Sequence, residues 1–250
     1  MTRFPSRPAL YALAALPLAL GLAACNKSGD ASTPAANGAV AAVAPPAGKA
    51  WTDIVAKTED GAGVVVGNPK AAIKLVEYGS LSCPHCAKLS QEATPPLNAK
   101  YIGTGKVSYE FRSFAIHPQD IPLTVLARCG ATDTFFGLIE QIYANFDALS
   151  AATEKGIDKA KAAQGLPPAQ RYIALADALG YTDFFSARGL PVDDQKKCLA
   201  NLSAAEAVAK ESEAISAKGI DSTPTVFVNG TKVGGTEWKD IEAALKAAGA

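Results

Sequence analysis

The sequence predicts an α/β fold: a sheet whose connection is interrupted by an inserted block of helices. Three observations carry this. A strand-like run, Ile73-Lys74-Leu75-Val76-Glu77-Tyr78, leads into Cys83-Pro84-His85-Cys86 and then into a helical pattern. From Ile121 to about Ser216 the apolar residues shift to helical spacing. The chain then returns to β character in a hairpin and closes on a helix.

Composition suits a globular domain: 48% of the 250 residues are hydrophobic and 19% are charged. Basic and acidic residues both number 24, so the chain has no net charge and no basic footprint for nucleic acid. The start of the chain reads as a leader. Arg3 and Arg7 precede an apolar stretch from Ala9 to Ala24 that is short and Ala-rich for a membrane span. Residues 1–24 are therefore expected to be a signal peptide. Leu22-Ala23-Ala24-Cys25 resembles the lipobox of bacterial lipoproteins, which implies cleavage before Cys25 and lipid attachment there. The alternative is an ordinary signal peptide with Cys25 as a chance residue. The rest of 25–50 is Ala, Pro, Gly, Ser and Asn with almost no bulky apolar side chains, and is expected to be a flexible tether. A tethered lipoprotein would sit outside the cytoplasm, on the periplasmic side of a bacterial envelope, where disulfides persist.

In the folded part, Gly63-Val64-Val65-Val66-Gly67 reads as a strand closed by a turn at Asn68-Pro69. The run 73–78 is apolar except at Lys74 and Glu77, as a strand covered on both faces requires. Helix is expected from near Ala87, with Pro95-Pro96 interrupting it. Val107-Ser108-Tyr109-Glu110-Phe111-Arg112 alternates with a period of two. In the helical block, Leu123, Val125, Leu126, Phe135, Phe136, Ile139 and Ile142 recur at near-helical spacing, and Pro167-Pro168 and Gly189-Leu190-Pro191 divide the run. Asn229-Gly230 marks a tight turn between Thr225-Val226-Phe227-Val228 and Thr231-Lys232-Val233. A last helix is expected from about Trp238 to Ala247.

Cys83-Pro84-His85-Cys86 is the motif that carries chemistry. Two cysteines two residues apart at a strand-to-helix junction are a redox signature. Backbone N–H groups and the positive end of the helix dipole favour a thiolate on the first cysteine, and the thiolate is the species that exchanges disulfides. Zinc is the competing use of such a pair, but it needs two more ligands. The sequence has no second CxxC, and His117 is the only histidine besides His85, so no metal and no cofactor are expected. Cys129 and Cys198 are left over. They read either as a structural disulfide or as two buried small hydrophobes.

With these residues in view, the chain from about 63 to 250 resembles the DsbA-like thiol:disulfide oxidoreductases, of thioredoxin-like fold. The resemblance rests on Gly67-Asn68-Pro69, on Glu77 six residues before Cys83, on the CPHC motif and on Thr223-Pro224 ahead of the last hairpin. It implies a thioredoxin-like domain over 51–119 and 218–250 and a helical insertion over 120–217. It implies that Cys83 is the nucleophile, Cys86 the more buried resolving thiol, and Thr223-Pro224 a cis-proline loop facing them. His85 would further favour the thiolate, and Pro84 would stiffen the first helical turn. Glu77 reads either as a buried carboxylate relaying protons beneath the pair or as a strand-end residue reaching solvent. The expected activity is a dithiol oxidase acting on reduced or unfolded envelope proteins and reoxidised by a DsbB-type membrane partner. The competing readings are a disulfide isomerase or reductase of the same fold and a binding protein or holdase that does no redox chemistry.

Overall fold

The computed structural model describes residues 38–250. The expected leader, Cys25 and most of the expected tether lie outside the described residues. Six strands form one sheet: β1 (Val55–Lys57), β2 (Gly63–Gly67), β3 (Ile73–Gly79), β4 (Val107–Ser113), β5 (Thr225–Val228) and β6 (Thr231–Lys232), in the order β1-β2-β4-β3-β5-β6. The central pair, β3 and β4, is parallel, and every other pairing is antiparallel. A parallel pair needs a long crossover. Here α1 (Pro84–Leu97) supplies it, with a short π-helical turn at Asn98–Ile102.

Between β4 and β5 lie seven helices among the described residues: α2 (Asp120–Ala127), α3 (Phe135–Ala144), α4 (Phe146–Ala163), α5 (Pro168–Ala178), α6 (Tyr181–Ser186), α7 (Val192–Ala200) and α8 (Leu202–Ala217). The chain ends on α9 (Trp238–Ala247). Alternation sets the core. Ile73, Leu75, Val64, Val66, Val107, Phe111, Val226 and Val228 are buried together with Leu89, Leu97, Ile139, Ile142, Ile241 and Leu245 from the helices. Gly156 lies inside α4, where glycine is disfavoured. A Cβ there would fall 1.9 Å from the Ala178 carbonyl oxygen, so the close approach of α4 and α5 requires it. The expected tight turn is present, with φ of 48° at Asn229 and 79° at Gly230.

Three expectations need correction. The helix begins at Pro84 rather than near Ala87, because Cys83 takes the cap position and Pro84 the first helical position. Pro95 and Pro96 do not interrupt it, since α1 runs through them to Leu97. The carbonyls that their missing N–H groups would have bonded belong to Gln91 and Glu92, both exposed residues, so these carbonyls are open to solvent rather than buried. The tether boundary at 50 also moves. Val40 donates to the Gly249 carbonyl at 2.7 Å, Val43 to Thr104 at 2.9 Å, and the Trp51 indole to the Val43 carbonyl at 2.7 Å, so residues 40–51 are fastened to the domain. Strand β1 went unforeseen because three residues are too few to show a period.

Cys129, just after α2, and Cys198, on α7, form a disulfide with a Cα–Cα distance of 5.8 Å and a sequence separation of 69. Of the two readings left open, the bridge is the one the structure contains. Closing a loop of that length restricts the unfolded chain. Replacing both cysteines by Ala is expected to lower the unfolding free energy by about 2–4 kcal/mol. Urea unfolding of the double variant checks this, and an unchanged midpoint would show that the bridge adds nothing.

Candidate active site

The site forms where the parallel strands end. Strand β3 stops at Gly79, and Ser80–Ser82 turn the chain into α1. Gly79 is required there: a Cβ would meet the Phe111 ring at 2.5 Å. Cys83 caps α1 with extended backbone (φ −90°, ψ 123°), and its carbonyl accepts the first helical bond from Ala87 at 3.1 Å. Its side chain therefore stands over the free N–H groups of the first turn. Pro84 and His85 are exposed, whereas Cys83 is 4% exposed and Cys86 fully buried. Cys86 is thus the more buried of the two thiols. Both are free.

The two thiols have opposite acidities. The Cys83 thiol is pulled from 9.0 down to about 5, chiefly by a hydrogen bond from the Cys86 thiol. Burial opposes this, and the Thr223 hydroxyl and the backbone N–H groups of Cys86 and His85 add to it. The Cys86 thiol is pushed well above 9.0, chiefly by burial, then by its bond to Cys83 and the nearby Glu77 charge. His85 thus contributes through its backbone N–H.

The Thr223–Pro224 peptide is cis and faces the pair. The Cys83 thiol donates to the Thr223 carbonyl at 3.4 Å, a contact that suits the neutral thiol. The Thr223 hydroxyl is buried with no other partner, so it is free to turn to the sulfur once the proton leaves.

Glu77 is buried beneath the pair, 7% exposed, and accepts a 2.7 Å hydrogen bond from the Tyr109 hydroxyl. It does not reach solvent from a strand end. Burial pushes its carboxyl from 4.5 up to about 7; the Tyr109 bond opposes this and the Cys83 charge adds to it. Asp120, at the start of α2, is a second buried carboxylate, 0% exposed, that sequence reasoning missed. It holds the Ser80–Ser82 loop, with the Ser80 hydroxyl 2.9 Å and the Ser82 N–H 2.9 Å from its oxygens. The only sequence signal was an acid in the first turn of a helix, a common feature with no link to residues nearly forty positions earlier. His117 stands at the rim, its Nδ1 3.1 Å from Ser82 Oγ. Among the described residues, no group of three His, Cys, Asp or Glu side chains is placed to hold a metal ion.

One thiol poised as a thiolate beside another that keeps its proton can pass two electrons to a second disulfide, and the pair in its own disulfide form can take two electrons from a second dithiol. On this sheet, with the cis-proline loop opposite, that defines a thioredoxin-like thiol:disulfide oxidoreductase. Known proteins agree. The thioredoxin family profile matches residues 59–247, and the chain belongs to that family. A Rickettsia conorii protein named as a protein-disulfide oxidoreductase is 30% identical over 226 residues, which cover 88% of this chain and 70% of that protein. A Rickettsia felis protein of the same name is 30% identical over 73% of this chain and 58% of its own length. A protein-disulfide isomerase from Novosphingobium aromaticivorans superposes with a TM-score of 0.69 at 26% identity, covering 74% of this chain and 96% of that one. The alpha-DsbA1 of Wolbachia pipientis shares the fold, with a TM-score of 0.59 at 24% identity over 74% of this chain and 90% of its own. The protein is a thiol:disulfide oxidoreductase of the thioredoxin family.

Two measurements check the electrostatics. Alkylation of the reduced protein by iodoacetamide should titrate with a midpoint near the Cys83 value of about 5, and a midpoint near 9.0 would contradict it. For Glu77, the folded value of about 7 lies above the model-compound value of 4.5. Between those pH values the folded state keeps a proton that the unfolded state has lost. The stabilisation is therefore full below 4.5 and lost as pH rises through 7. Relative to wild type, Glu77→Gln should gain on the order of 3 kcal/mol between pH 4.5 and 8. Parallel unfolding profiles for the two proteins would show that the buried carboxyl does not titrate this way.

Proposed function

We propose that the protein is a dithiol oxidase that works outside the cytoplasm and introduces disulfides into secreted or envelope proteins. What carries this reading is the placement of Cys83 at the cap of α1 beside the buried Cys86 thiol, which lowers the Cys83 pKa. A stabilised thiolate favours the reduced pair, so the disulfide form gives up its oxidising equivalents readily. DsbA is the reference case for that relation.

A substrate thiolate attacks the Cys83 sulfur of the oxidised pair. A bond forms between the substrate sulfur and Cys83, the Cys83–Cys86 bond breaks, and the electron pair leaves on Cys86, which takes up a proton. A second substrate thiolate then attacks the first substrate sulfur. A substrate disulfide forms, Cys83 leaves as its thiolate, and the protein ends as the dithiol. A membrane oxidant of the DsbB type would restore the disulfide by taking two electrons. The Arg3/Arg7 leader and Leu22-Ala23-Ala24-Cys25 support export and lipid anchoring, and the Cys129–Cys198 bridge suits an oxidising compartment. Isomerisation is the second reading, favoured by the Novosphingobium aromaticivorans protein's name.

The reduction potential of Cys83–Cys86 in glutathione buffers tests the proposal, with Cys25, Cys129 and Cys198 replaced by Ala. A value near about −120 mV is expected of an oxidase, and a value near about −270 mV would mark a reductant and overturn the proposal. For anchoring, the mature N-terminus should carry acyl chains by mass spectrometry, and an unmodified Cys25 would refute it.

A further inference from the structure

Beside the cysteines, the structure contains a polar clasp that the exchange chemistry above does not use. Strands β3 and β4 end side by side, with Gly79 opposite Ser113, and each runs into a loop. Asp120 lies between those loops and is fully buried. From the redox loop, the Ser80 hydroxyl lies 3.0 Å from Oδ1 and 2.9 Å from Oδ2, and the Ser82 N–H donates to Oδ1 at 2.9 Å. From the other loop, the N–H groups of Ile116 and His117 donate to Oδ2 at 3.1 and 3.0 Å. The His117 ring nitrogen Nδ1 stands 3.8 Å from Oδ2.

Ser80 is the hub. Its carbonyl accepts the Cys83 N–H at 3.2 Å and the Tyr143 hydroxyl at 3.0 Å. The same residue is therefore tied to α2 through Asp120, to α3 through Tyr143 and to the reactive cysteine itself. Three elements converge on the turn that aims Cys83 at the first turn of α1. A buried carboxylate with four hydrogen-bonded donors is costly to place unless all of them are held in position, so the clasp fixes the loop tightly.

We infer that Asp120 is a positioning residue for disulfide exchange: through Ser80 and Ser82 it fixes the Cys83 sulfur over the N–H groups at the start of α1. This concerns exchange in either direction and does not rest on the oxidase reading. Loosening the clasp would let Cys83 drift from the donors that favour its thiolate, including the His85 and Cys86 N–H groups. A direct charge effect has the opposite sign, because removing a nearby negative charge favours a thiolate.

The opposed signs make the test decisive. Asp120→Asn and Ser80→Ala are made in the full chain and checked for folding by circular dichroism. Ser80→Ala keeps the carboxylate and removes one tie, so it stays informative if Asp120→Asn does not fold. In the folded variants the midpoint of Cys83 alkylation should rise by about half a pH unit or more. Single-turnover exchange with a dithiol peptide should slow by about tenfold or more. An unchanged midpoint with an unchanged rate would overturn the inference. A fall in the midpoint would overturn it too, showing that the carboxylate acts by its charge.

Discussion

The structure depends on one junction, the point where the central strand ends and Cys83 takes the cap position of α1. A helix start offers unpaired N–H groups, and here those of His85 and Cys86 favour charge on the cap residue's sulfur. A thiolate meets that need better than a thiol. The backbone geometry that starts the helix therefore adds to the hydrogen bond from the Cys86 thiol in making Cys83 reactive.

The second thiol works by contrast. Cys86 lies one turn into the helix and is fully buried, so its charge is opposed by desolvation and by Glu77. Three titratable groups thus influence one another with their pKa values spread apart: Cys83 lowered, Glu77 raised and Cys86 raised well above the usual thiol value. Adding charge at one makes charge at the others more costly, which suits a site that holds a single negative charge at a time.

The inserted helices anchor the redox loop. Tyr143 on α3 and Asp120 on α2 both bond to Ser80, so the block that separates β4 from β5 also braces the turn before Cys83. The Cys129–Cys198 bridge joins the start of that block to α7. Its far end returns the chain to β5 and brings Thr223 opposite Cys83.

By itself the sequence determined the local features. Alternation and spacing marked β2, β3, β4, the 225–233 hairpin and α9, because period and turn chemistry are properties of neighbouring residues. CPHC named the reactive pair, because two thiols two residues apart on one helical turn need no distant partner to meet. Only the tertiary structure decided the rest. Glu77 read equally well as buried or exposed until β4 brought the Tyr109 hydroxyl to it. Cys129 and Cys198 were paired by the packing of helices 69 residues apart. Asp120 looked like any first-turn acid until two parallel strands ended side by side and placed their loops around it. Each of these rests on contacts between segments far apart in the chain, and a linear pattern carries no record of which distant segments will touch.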